Sequence, residues 1–203
     1  MAVKSDLACL KDIPNINILS KRFEFIEDLV LRENIAIVFQ YLIFLINLER
    51  SHTLPGAINY LIYKDMIIHT ASITEALLYY GLTKSLEKKK STLEIFGVTK
   101  DKYKNFKQIY KTPTGEEIGA IIKIKEYITP DEMQFNDFIP VALHAGLVDG
   151  SLSKELAIIR KQRNRVHLSS FSRVDNGYTM AEVEQMFKTV NKLKAYIIEY
   201  LAP

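Results

Sequence analysis

The sequence predicts a mainly α fold, a helical bundle with a small β-hairpin insertion. Apolar residues recur at three and four over most of the chain, one stretch changes to period two around a Thr-Pro-Thr-Gly turn, and two helix starts carry capping-box patterns. With 203 residues, 48% hydrophobic and 25% charged, the composition is that of a globular chain, and a single helical domain over 1–203 is expected. A chain of this size buries enough surface to fold without disulfides or a structural metal. Cys9 is the one cysteine, which excludes an internal disulfide and a cysteine-based zinc site and is compatible with a reducing cytosol.

The first element runs from Ile18 to Arg50 as one long or broken helix, its apolar positions being Phe23, Phe25/Ile26, Leu29/Val30, Ile37, Tyr41, Phe44/Leu45 and Leu48. Its later half is apolar on most sides, so it reads as deeply buried. Pro55 opens a second long helix at a position that tolerates proline, and Gly81 is expected to stop it, giving an antiparallel pair. Lys84 to Asp101 reads as a further, lysine-rich helix. Phe106–Tyr110 and Ile118–Ile128 flank Thr112-Pro113-Thr114-Gly115 and predict the hairpin. A capping box at Thr129–Glu132 leads into a helix over Phe138–Leu147. Asp149-Gly150-Ser151 opens another, from Leu152 to about Ser169. Thr179-Met180-Ala181-Glu182 caps the last helix, Met180–Tyr200, whose apolar face is Val183, Met186/Phe187, Val190, Leu193, Ile197 and Leu201.

The first twelve residues break their apolar run at Asp6, Lys11 and Asp12, so no secretory signal is expected, and Asp6 spoils Leu7-Ala8-Cys9 as a lipid-attachment box. Ile35–Ile46, the most apolar stretch, contains Gln40 and falls short of the roughly 20 residues that span a bilayer. A cytoplasmic protein with no membrane partner is therefore the expectation. The formal net charge is only +3, but residues 84–111 carry +6 and residues 151–173 carry +5. Two basic islands on an otherwise acidic chain suit a local anionic ligand.

The sequence has no phosphate-binding glycine loop, no GxGxxG, no HExxH and no nucleophile elbow. The segment that carries chemistry is Ile159-Arg160-Lys161-Gln162-Arg163-Asn164-Arg165-Val166-His167-Leu168. At about 100° per residue, Arg160, Arg163, Asn164 and His167 fall on one stripe beside the core stripe Leu152, Leu156, Ile159 and Val166. Two guanidinium groups and an imidazole make an anion site with a proton-transfer group. Without a metal or cofactor, that set suits cleavage of an RNA phosphodiester by its own 2′-hydroxyl. His167 would move the proton, and Arg160 would stabilise charge on the phosphoryl oxygens. Neighbouring cations should depress the His167 pKa and favour the neutral base near pH 7.

Blander readings stand beside this one. Basic residues followed by a histidine on a helix also make a solvated or salt-bridged face. His69 reads as a hydrogen-bonded core histidine, while His52 and His144 have no assignable role. Glu75 is either a buried partner for Arg163 or a surface residue. Lys88-Lys89-Lys90 is a solvated face or a contact to a nucleic-acid backbone.

Gly146-Leu147-Val148-Asp149, the run from Leu156 to His167, Tyr178-Thr179 and the upstream Ile68–Leu78 together resemble the HEPN superfamily (higher eukaryotes and prokaryotes nucleotide-binding), over about half of the chain. The basic insertion, about 84–128, lies outside that resemblance. The resemblance implies a helical bundle that dimerises and places two copies of an Arg…His motif at a shared cleft. Many such proteins are metal-independent endoribonucleases, often toxins controlled by an antitoxin or phage-defence effectors, that leave a 2′,3′-cyclic phosphate. The motif is an arginine, four to six residues, then histidine, which assigns catalytic roles to Arg160 and His167. Arg163, Asn164, Arg165 and Lys161 are then supporting phosphate contacts. The family often has Asn, Asp or His directly after the arginine, whereas Lys161 follows Arg160. Arg163-Asn164 has the expected dipeptide at a spacing one residue short. The alternative is a non-catalytic module that binds nucleotide, RNA or an acidic protein partner.

Overall fold

The computed structural model describes residues 12–164 and 177–203. Among them the chain is mainly helical, with seven α-helices and one two-stranded antiparallel sheet.

The predicted helix over Ile18–Arg50 is broken in two. Helix α1 (Ile16–Lys21) is capped by the Asn15 side chain, and α2 (Leu29–Ser51) by Asp28, whose carboxylate accepts the Leu31 N–H at 3.0 Å. Between them Phe23 and Ile26 turn into the core. A residue that can satisfy free N–H groups starts a new helix more readily than it continues an old one. Helix α2 is 23 residues long with a mean hydropathy of 1.8 over its most apolar window, long and apolar enough by length and composition to cross a membrane. The expectation of deep burial is corrected. Ile35, Ala36, Leu42 and Leu45 pack inward, while Leu29, Val30, Ile37 and Tyr41 are exposed. Its packing partners are α1 and α3, which cover one stripe only.

Helix α3 (Gly56–Glu87) is the central element and touches α2, α5, α6 and α7. Its antiparallel pairing with α2 is recorded by the Tyr63 hydroxyl donating to Glu49 at 2.8 Å and the Tyr41 hydroxyl to Asp65 at 2.7 Å. Gly81, expected to stop this helix, does not do so. A Cβ there would lie 2.9 Å from Leu147 Cδ2 and 3.3 Å from Ile197 Cγ1, so the glycine lets neighbouring side chains approach the helix backbone. The helix ends instead at Lys88, with Lys89 at φ 54 and the Lys90 N–H closing on the Ser85 carbonyl at 2.8 Å.

The helix expected over Lys84–Asp101 is therefore three things: the end of α3, the single turn α4 (Leu93–Phe96) and the start of a strand. Thr92 caps α4 and Gly97, at φ 70, terminates it. The predicted hairpin is present and longer than expected on its first side. Strand β1 (Thr99–Lys111) pairs with β2 (Glu117–Tyr127), Thr99 opposite Tyr127 and Lys111 opposite Glu117. The turn is held by the Thr112 hydroxyl, which accepts the Glu116 N–H at 3.0 Å, and by Gly115 at φ 93.

After a 3-10 turn at Pro130–Glu132, α5 spans Phe135–His144. The predicted box at Thr129 makes no side-chain cap. The box is five residues later, where the Asp137 carboxylate accepts the Gln134 N–H at 3.0 Å, and the helix starts three residues before Phe138. Helix α6 covers Gly150–Asn164; the expected continuation to Ser169 lies outside the described residues. Helix α7 (Met180–Leu201) opens on the predicted Thr179/Glu182 box with both reciprocal bonds made. Its inward face is Val183, Met186, Leu193, Ile197 and Leu201. These side chains join α3 and Leu147 in one apolar cluster.

Candidate functional site

Helix α6 is held on its inner side by Leu152, Leu156 and Ile159, all at most 2% exposed. Its start is fixed by Asp149, whose carboxylate accepts the Leu152 N–H at 2.7 Å and the Tyr196 hydroxyl at 2.6 Å. These bonds hold the Asp149 carboxyl below its ordinary value, the backbone N–H contributing most. The same helix is tied to α7 by Glu155, which takes the Lys192 ammonium at 2.7 Å and the Thr189 hydroxyl at 2.9 Å. A helix held along one stripe fixes the direction of the neighbouring stripe, and that stripe carries the arginines.

Arg163 reaches α3. Its guanidinium lies 3.5 Å from the Glu75 carboxylate and over the Phe135 ring, 5.8 Å from the centroid. Of the two readings of Glu75, the partner of Arg163 is the one present, at a half-exposed rather than a buried position. Arg160, one turn earlier, is half-buried, and its Nε is buried with no hydrogen-bond partner among the described residues. A guanidinium carries five N–H donors in a fixed fork; Arg163 spends part of its fork on Glu75, while the Arg160 Nε is unpaired among the described residues. Lys161 and Asn164 are exposed at the helix end. Gln162 donates to Glu182 at 3.3 Å and so joins the end of α6 to the start of α7. Arg165 and His167 lie outside the described residues, as does Val166. Cations in a last turn also offset the partial negative charge of a helix C-terminus, a role open to Lys161 and Arg163 whatever else they do.

Beside Arg163 an open groove of about 340 Å³ is lined by Ser72, Glu75, Tyr79, Asp131 and Phe138, among others. The Tyr79 hydroxyl donates to Asp131 at 2.8 Å, which raises the phenol above its ordinary value. Glu75 and Asp131 make this groove a poor seat for a phosphate.

Other sequence candidates have different positions. His69 is half-buried, not a core residue, and meets Tyr41 edge-on at 5.0 Å. His52 follows the end of α2, where its Nδ1 is 2.8 Å from the Ser51 hydroxyl, and His144 is exposed in the last turn of α5. Lys88, Lys89 and Lys90 are all exposed, as the solvated-face reading expects, and two of them also make contacts that neither reading foresaw. Lys88 donates to the Leu201 carbonyl at 2.8 Å, and Lys90 donates to the Tyr200 carbonyl at 2.8 Å and to the Ala202 carbonyl. They close the C-terminal end of α7. In the insertion, Lys100 pairs with Glu132, Lys102 with Glu126 and Lys123 with Asp101, so three of its lysines are held in ion pairs while its net basic excess remains. Among the described residues no group of three His, Cys, Asp or Glu side chains could hold a metal ion.

Phe135 and Asp131 have no signature in the sequence that would attach them to this site. Both come from the segment after the hairpin and meet α3 or α6 only through the fold. Glu75 had one: a carboxylate among Ile73, Ala76 and Leu77 reads either as a partner for Arg163 or as a surface residue. No family model matches this chain, and comparison with curated proteins and with solved structures finds no match.

Proposed function

We propose that the chain is a metal-independent endoribonuclease of the HEPN type, acting as a toxin or defence effector on RNA. The observation that carries this reading is the arginine pair on α6. Arg163 is braced by Glu75 and Phe135, while Arg160 keeps a buried, unpartnered Nε, on the helix that leads toward Arg165 and His167.

In this mechanism Arg160 binds the scissile phosphate through its fork and holds the charge that builds on the non-bridging oxygens. His167 takes the proton of the 2′-hydroxyl, whose oxygen attacks phosphorus as the bond to the 5′-oxygen breaks. That oxygen takes a proton from water, and His167 returns its own to the solvent, giving a 2′,3′-cyclic phosphate and a free 5′-hydroxyl. Arg163 and Asn164 orient the strand, and Lys161 and Arg165 add attraction for its backbone. A homodimer belongs to the proposal. Tyr41, Ile58 and Leu61 line one groove between α2 and α3 and are exposed, an apolar surface for a second copy to cover. An antitoxin is a further expected partner.

The pairing of Arg163 with Glu75 favours a second reading, a module that binds RNA without cutting it, because it removes one of the two arginine charges from the phosphate. Comparison of Arg160→Ala, Arg163→Ala and Glu75→Gln in binding and cleavage of labelled RNA separates the two. The ribonuclease reading expects Arg160→Ala to lose cleavage by at least 100-fold, with Arg163→Ala and Glu75→Gln each costing less. RNA bound tightly by the wild type, released by Arg160→Ala and never shortened, identifies the binding module.

A further inference from the structure

On the far side of α3 from the arginine site the bundle contains a cavity that the ribonuclease reading does not use. It has a volume of about 260 Å³ and is lined by α2, α3 and α7, together with the turn after α1. Its walls are apolar: Phe39, Leu42, Ile43 and Ile46 from α2, Ile73 from α3, Phe187 and Val190 from α7. Thr70 is the one polar side chain from α3, and its hydroxyl is spent on the Met66 carbonyl at 2.6 Å. For comparison, a cavity of about 150 Å³ lined by aliphatic side chains accepts benzene.

The rim has a different chemistry. The remaining polar lining residues are Arg22, Asn191 and Lys194, and none of the lining residues is acidic. Lys194 is half-buried; its ammonium donates to the Arg22 carbonyl at 2.5 Å and sits over the Phe23 and Phe25 rings, 5.6 and 5.7 Å from their centroids. Arg22 lies over the Phe39 ring at 5.8 Å. Aromatic faces and one carbonyl therefore hold two like charges at the mouth of an apolar cavity. Burial and the nearby Arg22 hold the Lys194 amine below its ordinary value, and Glu24 offsets this only in part. Two cations that repel each other at a partly desolvated rim gain most from an anion placed between them.

We propose that this cavity binds a small amphipathic anion, with an apolar tail between α2, α3 and α7 and a single negatively charged head at Arg22 and Lys194. An uncharged molecule of the same tail would fill the walls and leave the rim unsatisfied. A cation would be repelled.

The test uses four probes with one tail: octanoate, octyl phosphate, octanol and octyltrimethylammonium, titrated into the full-length protein by calorimetry. The expected order is that one or both anions bind, octanol binds at least tenfold more weakly and octyltrimethylammonium does not bind. Which anion binds tighter tells a carboxylate head from a phosphate head. Lys194→Met and Arg22→Met should each weaken the anion at least tenfold and leave octanol unchanged. Val190→Phe, which fills the cavity, should remove both. Each variant is first shown to keep the wild-type helical signal. Equal binding of octanol and octanoate, anion binding indifferent to both rim substitutions, or full binding by folded Val190→Phe would each overturn the proposal.

Discussion

At Gly81 a single hydrogen atom decides how close α3 stands to its neighbours. Alanine is the better helix former by about 1 kcal/mol, but its Cβ would press on Leu147 and Ile197, both fully buried. Overpacking of that kind costs about 1–3 kcal/mol. Gly81→Ala should therefore cost up to about 2 kcal/mol net and lower the melting temperature by up to roughly 8 °C in spite of its helix propensity, and Gly81→Val by more; an unchanged or raised value would show that the contact yields. Asp149 and Glu155 contribute to the behaviour in acid. Their hydrogen bonds and, for Glu155, the Lys192 ammonium hold both carboxyls below ordinary values of 3.8 and 4.5. The folded chain thus binds these protons less tightly than the unfolded chain. The stability they contribute is present above about pH 4.5 and is lost as the pH falls through the native values. Melting followed from pH 6 down to pH 3 should show a steep loss in the wild type and a shallower one in Asp149→Asn, which keeps a capping side chain without the charge. At this scale the sequence was most readable where one side chain acts on its own backbone, as Thr179 and Glu182 do. It was least readable at Gly81, whose reason is Leu147 and Ile197, far away along the chain.

At the scale of elements, the two ends of α7 differ in what supports them. Its start is a local box, and Thr179→Ala should cost about 1 kcal/mol of stability, measured by denaturant unfolding. Its end is closed from the segment after α3 by Lys88 and Lys90. Lys90→Met should raise amide exchange in the last turn of α7 while leaving the first turn protected; equal exchange at both ends would contradict the cap. The hairpin is a different case, because β1 and β2 pair with each other and pack little on the helices. Its period-two alternation and Thr-Pro-Thr-Gly turn were visible in the sequence for that reason. The first half of β1 was masked by its lysines, which read equally well as a solvated helix. Val98 and Ile128 are joined by a backbone hydrogen bond of 3.1 Å at the base, so a short turn can replace residues 99–127. The shortened chain should keep the helical signal and melting temperature of the bundle. A large loss would mean that the hairpin supports the helices.

At the scale of the whole molecule, α2 separates what composition says from what packing does. Its apolar character predicted burial, yet Leu29, Val30, Ile37 and Tyr41 face outward because helices cover only one side of it. Of these, Tyr41 joins Ile58 and Leu61 in the groove proposed above as the surface for a second copy. Light scattering should give twice the chain mass for the wild type and one chain mass for Leu61→Asp; a monomeric wild type would remove the dimer from the mechanism. The arginine stripe was legible because helical spacing alone puts Arg160 and Arg163 beside Leu156 and Ile159. Its bracing by Glu75 and Phe135 was only partly so, since three helices must meet to make it.

The most direct measurement of the central claim is incubation of labelled total RNA with the protein and with His167→Ala, in EDTA, followed by analysis of the new 3′ ends. The ribonuclease account predicts cutting that resists EDTA, depends on His167 and leaves 2′,3′-cyclic phosphate. Intact RNA, with both proteins folded and dimeric, or equal cutting by His167→Ala, would contradict it.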